Sequence, residues 1–92
     1  MAEENIFSTR DLALAATLVT LKFALLGVDY QQEGTKRRLV GYFKFEETPV
    51  LLEARQRFMQ GLLQVEPRLF VTNMRSLKAD VENAFDNPRS SL

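Results

Sequence analysis

The chain has 92 residues, 46% hydrophobic and 26% charged, with no net charge at neutral pH; this is ordinary usage for one globular domain and excludes a disordered chain. It contains neither cysteine nor histidine, which excludes disulfide staples, the usual zinc and blue-copper ligand sets, thiol nucleophiles and every histidine-based acid–base scheme. Charge is uneven along the chain: two cations face five anions in residues 1–35, nine face four in 36–78, and one faces three in 79–92.

The first element is a helix in "DLALAATLVTLKFALLGV". Ser8 stands three residues before Asp11, close to a capping box, and Phe7 is placed to staple onto Leu12. From there Leu12, Ala15, Ala16, Val19 and Phe23 share one face, while Leu14, Leu18 and Leu21 share another. A helix apolar on two faces must be covered on most sides, which a chain this small can barely do alone. Leu14, Leu18 and Leu21 are therefore candidate self-association residues. The run does not suit a membrane. A span needs about 20 apolar residues, whereas Gly27 and Asp29 close this one early and Lys22 sits inside it. A central lysine costs about 2.5–3.5 kcal/mol on insertion. Glu3 and Glu4 precede the run where a signal peptide would be positive. The expectation is a soluble, cytoplasmic protein.

After Phe23 the period changes to two. Leu26, Val28 and Tyr30 alternate with Gly27, Asp29 and Gln31, and "QQEGTKR" supplies a turn around Gly34. "RLVGYFKFE" alternates again, with Leu39, Phe43 and Phe45 on one face and Val40, Tyr42 and Lys44 on the other. The two runs read as an antiparallel hairpin. A second helix follows, with Thr48 as N-cap, Pro49 in its first turn and Gly61 as its stop; its buried stripe is expected to be Leu51, Ala54, Phe58 and Met59. Residues 62–65, "LLQV", are either a short third strand or a packed connector. Pro67 opens a last helix with a stripe of Phe70, Met74, Leu77, Val81 and Phe85.

The fold class that follows is α+β in two layers, in the order α-β-β-α-(β)-α. An antiparallel hairpin or three-stranded sheet carries helices packed on one face. Residues 1–92 form a single domain with an ordered core at about 7–85, and residues 86–92 are expected to fray.

"FSTRDLALAATL" near the start and "GLLQVEPRLFVTNMRSLK" near the end resemble a small uncharacterised prokaryotic domain family of unknown function. The shared features are a Ser/Thr-x-Asp-Leu helix start and a closing Val-x-Pro helix that ends in Leu-Lys. The resemblance covers roughly residues 7–85. It implies one-domain status and carries over no functional residue.

Two basic groups are candidate nucleic-acid contacts. Lys36, Arg37 and Arg38 sit beside Gly34 at the hairpin tip and could reach a phosphate backbone, although a solvated turn is the simpler reading. Arg68, Arg75 and Lys78 fall on one face of the last helix, but Glu82 four residues on reads as ordinary surface pairing. Tyr30, Tyr42, Phe43 and Phe45 could form a base-stacking platform, yet Phe43 and Phe45 share Leu39's face and read as core. Catalytic pairings are weaker. Glu46 and Glu47 point to opposite faces of a strand, Asp29 and Lys44 read as a cross-strand ion pair, and the four glycines are too scattered for a phosphate loop.

The expected function is thus a small non-catalytic protein-interaction module without metal or cofactor. It self-associates as a homodimer through the apolar first helix or the open sheet face. The alternative is a nucleic-acid-binding accessory protein using Lys36, Arg37, Arg38, Arg68, Arg75 and Lys78.

Overall fold

The computed structural model describes residues 5–33 and 38–86. Its elements are β1 (Ile6–Thr9), α1 (Leu12–Thr20), β2 (Leu25–Glu33), β3 (Arg38–Glu46), α2 (Pro49–Met59) and α3 (Pro67–Asp86). The fold is α+β, with a three-stranded antiparallel sheet in the order β1-β3-β2 and the helices packed on one of its faces. The turn around Gly34 lies outside the described residues, as do residues 87–92. Among the described residues no helix is long and apolar enough to cross a membrane.

Of the two readings of residues 62–65, the connector is the one observed, and the third strand lies elsewhere. Residues 62–65 have no strand pairing, and the place beside β3 is taken by Ile6–Thr9, with Phe7 opposite Phe45 and Thr9 opposite Phe43. Ser8 is therefore a strand residue. The cap of α1 is Asp11, whose carboxylate accepts the Leu14 N–H at 3.1 Å, while Thr9 Oγ1 accepts the Asp11 N–H at 3.0 Å. The other helix starts follow the sequence. Thr48 Oγ1 accepts the Leu51 N–H at 3.1 Å, and the Glu66 carboxylate accepts the Arg68 N–H just after Pro67.

Two helices end in the same way with different residues. At α1, the Phe23 N–H donates to Leu18 O and the Lys22 N–H to Val19 O, both at 3.0 Å. At α2, the Leu62 N–H donates to Arg57 O and the Gly61 N–H to Phe58 O. Each is a Schellman motif, which needs one residue in the left-handed region. Gly61 adopts φ 72° without a Cβ penalty, whereas Lys22 holds φ 77° with one. Lys22→Gly should therefore stabilise the fold by about 1 kcal/mol and raise Tm by roughly 4–8 °C in a thermal melt. An unchanged or lower Tm would mean that the Lys22 side chain supplies a compensating contact.

The core lies between sheet and helices. Phe43 and Phe45 are buried on the helix side of β3, and Phe7, Leu25 and Val28 flank them from the neighbouring strands. Gly41 shares that face, and a Cβ there would come within 3.0 Å of Val81 Cγ2. Its bare backbone is what lets α3 lie close on the sheet. α1 contacts both α2 and α3, which explains its all-round apolarity: its own chain buries Leu14–Leu18 and Thr20 and half-covers Leu12, Ala13 and Val19. Thr17 and Thr20 are buried there, their hydroxyls donating to Ala13 O at 2.8 Å and Ala16 O at 2.7 Å. Asn73 Nδ2 of α3 donates to Thr20 Oγ1 at 3.0 Å, tying the two helices together with a satisfied polar pair.

On α2 the buried stripe is Leu51 and Ala54, with Phe58 packed against it. Met59 does not join it and is 64% exposed. At about 100° per residue, position 59 is turned well away from the arc shared by 51, 54 and 58. On α3, Leu77 is buried and Phe70, Met74 and Val81 pack against the core as expected; the Phe85 side chain lies outside the described residues.

Candidate functional site

The apolar candidates of α1 are internal. Leu14 is 3% and Leu18 0% exposed within the single chain, and Leu21 is partly buried against the same cluster. The expectation that they line an interface is corrected: they face the chain's own sheet and helices. The open face of the sheet is mixed rather than apolar. Ser8, Asp29 and Gln31 lie on it with Lys44, and Lys44 Nζ meets the Asp29 carboxylate at 3.2 Å, the expected cross-strand pair. Val40 is buried and Tyr42 half-buried on that side, while Ile6 is exposed. One wetted face is the normal state of an antiparallel sheet.

Of the basic candidates, Lys36 and Arg37 lie outside the described residues. Arg38 opens β3 opposite Glu33, and its side chain is likewise outside them. Arg68, Arg75 and Lys78 are all exposed along α3, and none has an ion-pair partner among the described residues. Pro67, Arg68, Val71, Thr72 and Arg75 line a shallow groove of about 430 Å³. Glu66 caps this helix, so a carboxylate offsets the positive end of the dipole beside Arg68.

Phe43 and Phe45 are core residues, 2% and 0% exposed, which removes them from any stacking platform. The Tyr30 hydroxyl donates to Asp80 O of α3 at 3.2 Å. Partial burial and, less strongly, the Asp80 carboxylate hold its phenol above the ordinary value, so it remains a donor throughout the neutral range. Between α2 and α3 a cleft of about 250 Å³ is lined by Thr17, Phe58, Gly61, Leu63, Val65 and Phe70. Its one hydroxyl already donates to Ala13 O. It is smaller than the roughly 300–1,000 Å³ of a typical ligand site and has no convergent polar groups. Val50, Leu52, Met59 and Leu62 leave exposed apolar side chains on α2 and the connector after it. Among the described residues no cluster of acids could hold a metal ion.

The feature that sequence reasoning missed is the outer edge of β2. This strand is nine residues long and, among the described residues, pairs only with β3. Four consecutive residues, Asp29, Tyr30, Gln31 and Gln32, are exposed on both faces. The usual protections of an edge are proline, charged side chains, bulges, shortness or a covering segment. β2 has an irregular step between Leu25 and Gly27 and carries Asp29, but it has neither proline nor lysine, and no described element pairs with its outer side. The signal was present in "DYQQ", which is polar on both faces where a central strand would be apolar on at least one. Which strand became the edge depended on where the unrecognised β1 docked.

The chain matches no protein-family model, and comparison with curated proteins and with solved structures finds no significant match to either.

Proposed function

We propose that this chain is a small non-catalytic interaction module that works as a self-associated pair. The observation that supports this reading is the long β2 edge, which leaves a row of backbone donors and acceptors for a further strand to complete. A second copy satisfies that edge at no cost in new sequence, and two-fold closure prevents open-ended growth. Static light scattering on the purified chain, from micromolar to several hundred micromolar, tests the reading. A mass of two chains is the expected result, and a single-chain mass across that range would end it.

A second reading rests on a separate observation, Arg68, Arg75 and Lys78 exposed along α3 without ion-pair partners among the described residues. Such a face suits a phosphate backbone, with binding that weakens steeply in salt. Three contacts correspond to a slope of about −3 in log K against log salt concentration. The chain has no tryptophan and two tyrosines, so nucleic acid carried through purification would dominate its ultraviolet spectrum. A protein-like spectrum together with no shift of labelled DNA or RNA at low salt would remove this reading.

A further inference from the structure

We infer that the pair forms by antiparallel addition of β2 to β2 of a second copy, about a two-fold axis at Tyr30, giving one six-stranded sheet. This rests on the self-association proposed above and adds the surface and the register. With both helical layers on the same side, residues facing each other across the axis must share a face, so the axis passes through a residue of β2. Charge and regularity then choose among the residues. An axis at Asp29 sets that carboxylate against its own copy, and an axis at Gln31 sets Asp29 against position 33, a glutamate. An axis at Val28 draws in the irregular step between Leu25 and Gly27, where a flat ladder cannot continue. An axis at Tyr30 keeps the pairing within Gly27–Glu33. It sets Asp29 opposite Gln31, Val28 opposite Gln32, and Tyr30, 38% exposed, opposite Tyr30.

α3 would widen the contact. A strand edge is narrow, and a stable pair needs roughly 800 Å² from each copy. Asn73 points to α1 and Val81 to the sheet. Tyr30 ties α3 to this edge through its bond to Asp80 O, so an axis at Tyr30 brings the ends of the two α3 helices toward each other antiparallel. It also avoids the like-charge contacts that axes at Asp29 and Gln31 impose.

The absence of native cysteine makes the register directly testable. Single Tyr30→Cys and Asp29→Cys variants are oxidised at micromolar concentration and followed as covalent dimer on a denaturing gel. Tyr30→Cys should cross-link at least tenfold faster than Asp29→Cys, because only position 30 meets its own copy within disulfide reach. In parallel, Gln31→Glu places a carboxylate opposite Asp29 twice and should raise the dimer Kd about tenfold, whereas Gln31→Lys should lower it. Gln31 is exposed, so neither change loads the monomer. Equal cross-linking at 29 and 30, no cross-linking at 30, or identical Kd values for the two Gln31 variants overturns the register. If the wild-type mass is nevertheless two chains, self-association stands and only this interface fails. A single-chain mass removes both.

Discussion

Leu18→Arg will leave the chain without a cooperative fold. Leu18 has no exposed surface and lies in the cluster with Phe43, Phe45 and Leu51. An arginine there must bury an unpaired guanidinium or expel α1 from between the sheet and the other helices. Either route costs several kcal/mol, against a total stability of roughly 5–14 kcal/mol for a chain this size. The expected result is a collapsed thermal transition and poorly dispersed amide resonances, while Leu18→Met, close in volume, melts near wild type. A folded monomeric Leu18→Arg protein would instead place α1 on a surface. The variant therefore separates a helix hidden by its own chain from one hidden by a partner, which hydropathy alone does not do.

That distinction marks where sequence was informative. Local chemistry carried through well. Thr48, Pro49 and Gly61 bound α2, and the stripe of Phe70, Met74, Leu77 and Val81 seats α3. These features depend on neighbours within one or two turns. Non-local choices were not legible. "IFST" is too short to announce itself as a strand, and its partner is more than thirty residues away. Missing it shifted the cap from Asp11 to Ser8, left the third strand of the sheet without a location, and hid the fact that β2 is an edge. The same gap produced the misreading of α1. Its second apolar face looked surplus because the sheet, α2 and α3 had not yet been seen to close around it. Of the candidate contact residues, Arg68, Arg75 and Lys78 were legible because exposure on a helix follows directly from its apolar stripe.

Phe45→Ala should be the most costly truncation in the sheet, and its consequences should be uneven. Phe45 is fully buried on the central strand, opposite Phe7 of β1 and Leu25 of β2. Removing a buried phenyl ring costs about 3–5 kcal/mol, because the surroundings only partly close on the cavity. In a domain this small that lowers Tm by roughly 15–30 °C. The loss should fall hardest on β1. This strand has four residues and a single neighbour, and one of its inward side chains is Phe7, directly across from the ring that is lost. β2 keeps a much longer ladder from Gly27 to Glu33. Amide exchange should therefore quicken first at Ile6–Thr9 and only later at Tyr30–Gln32, while the helix contacts through Asn73 and Thr20 hold longer. Uniform loss of protection across the sheet would mean that β1 folds as one unit with the hairpin. A Tm change of only a few degrees would mean that Phe45 is not the keystone its burial indicates.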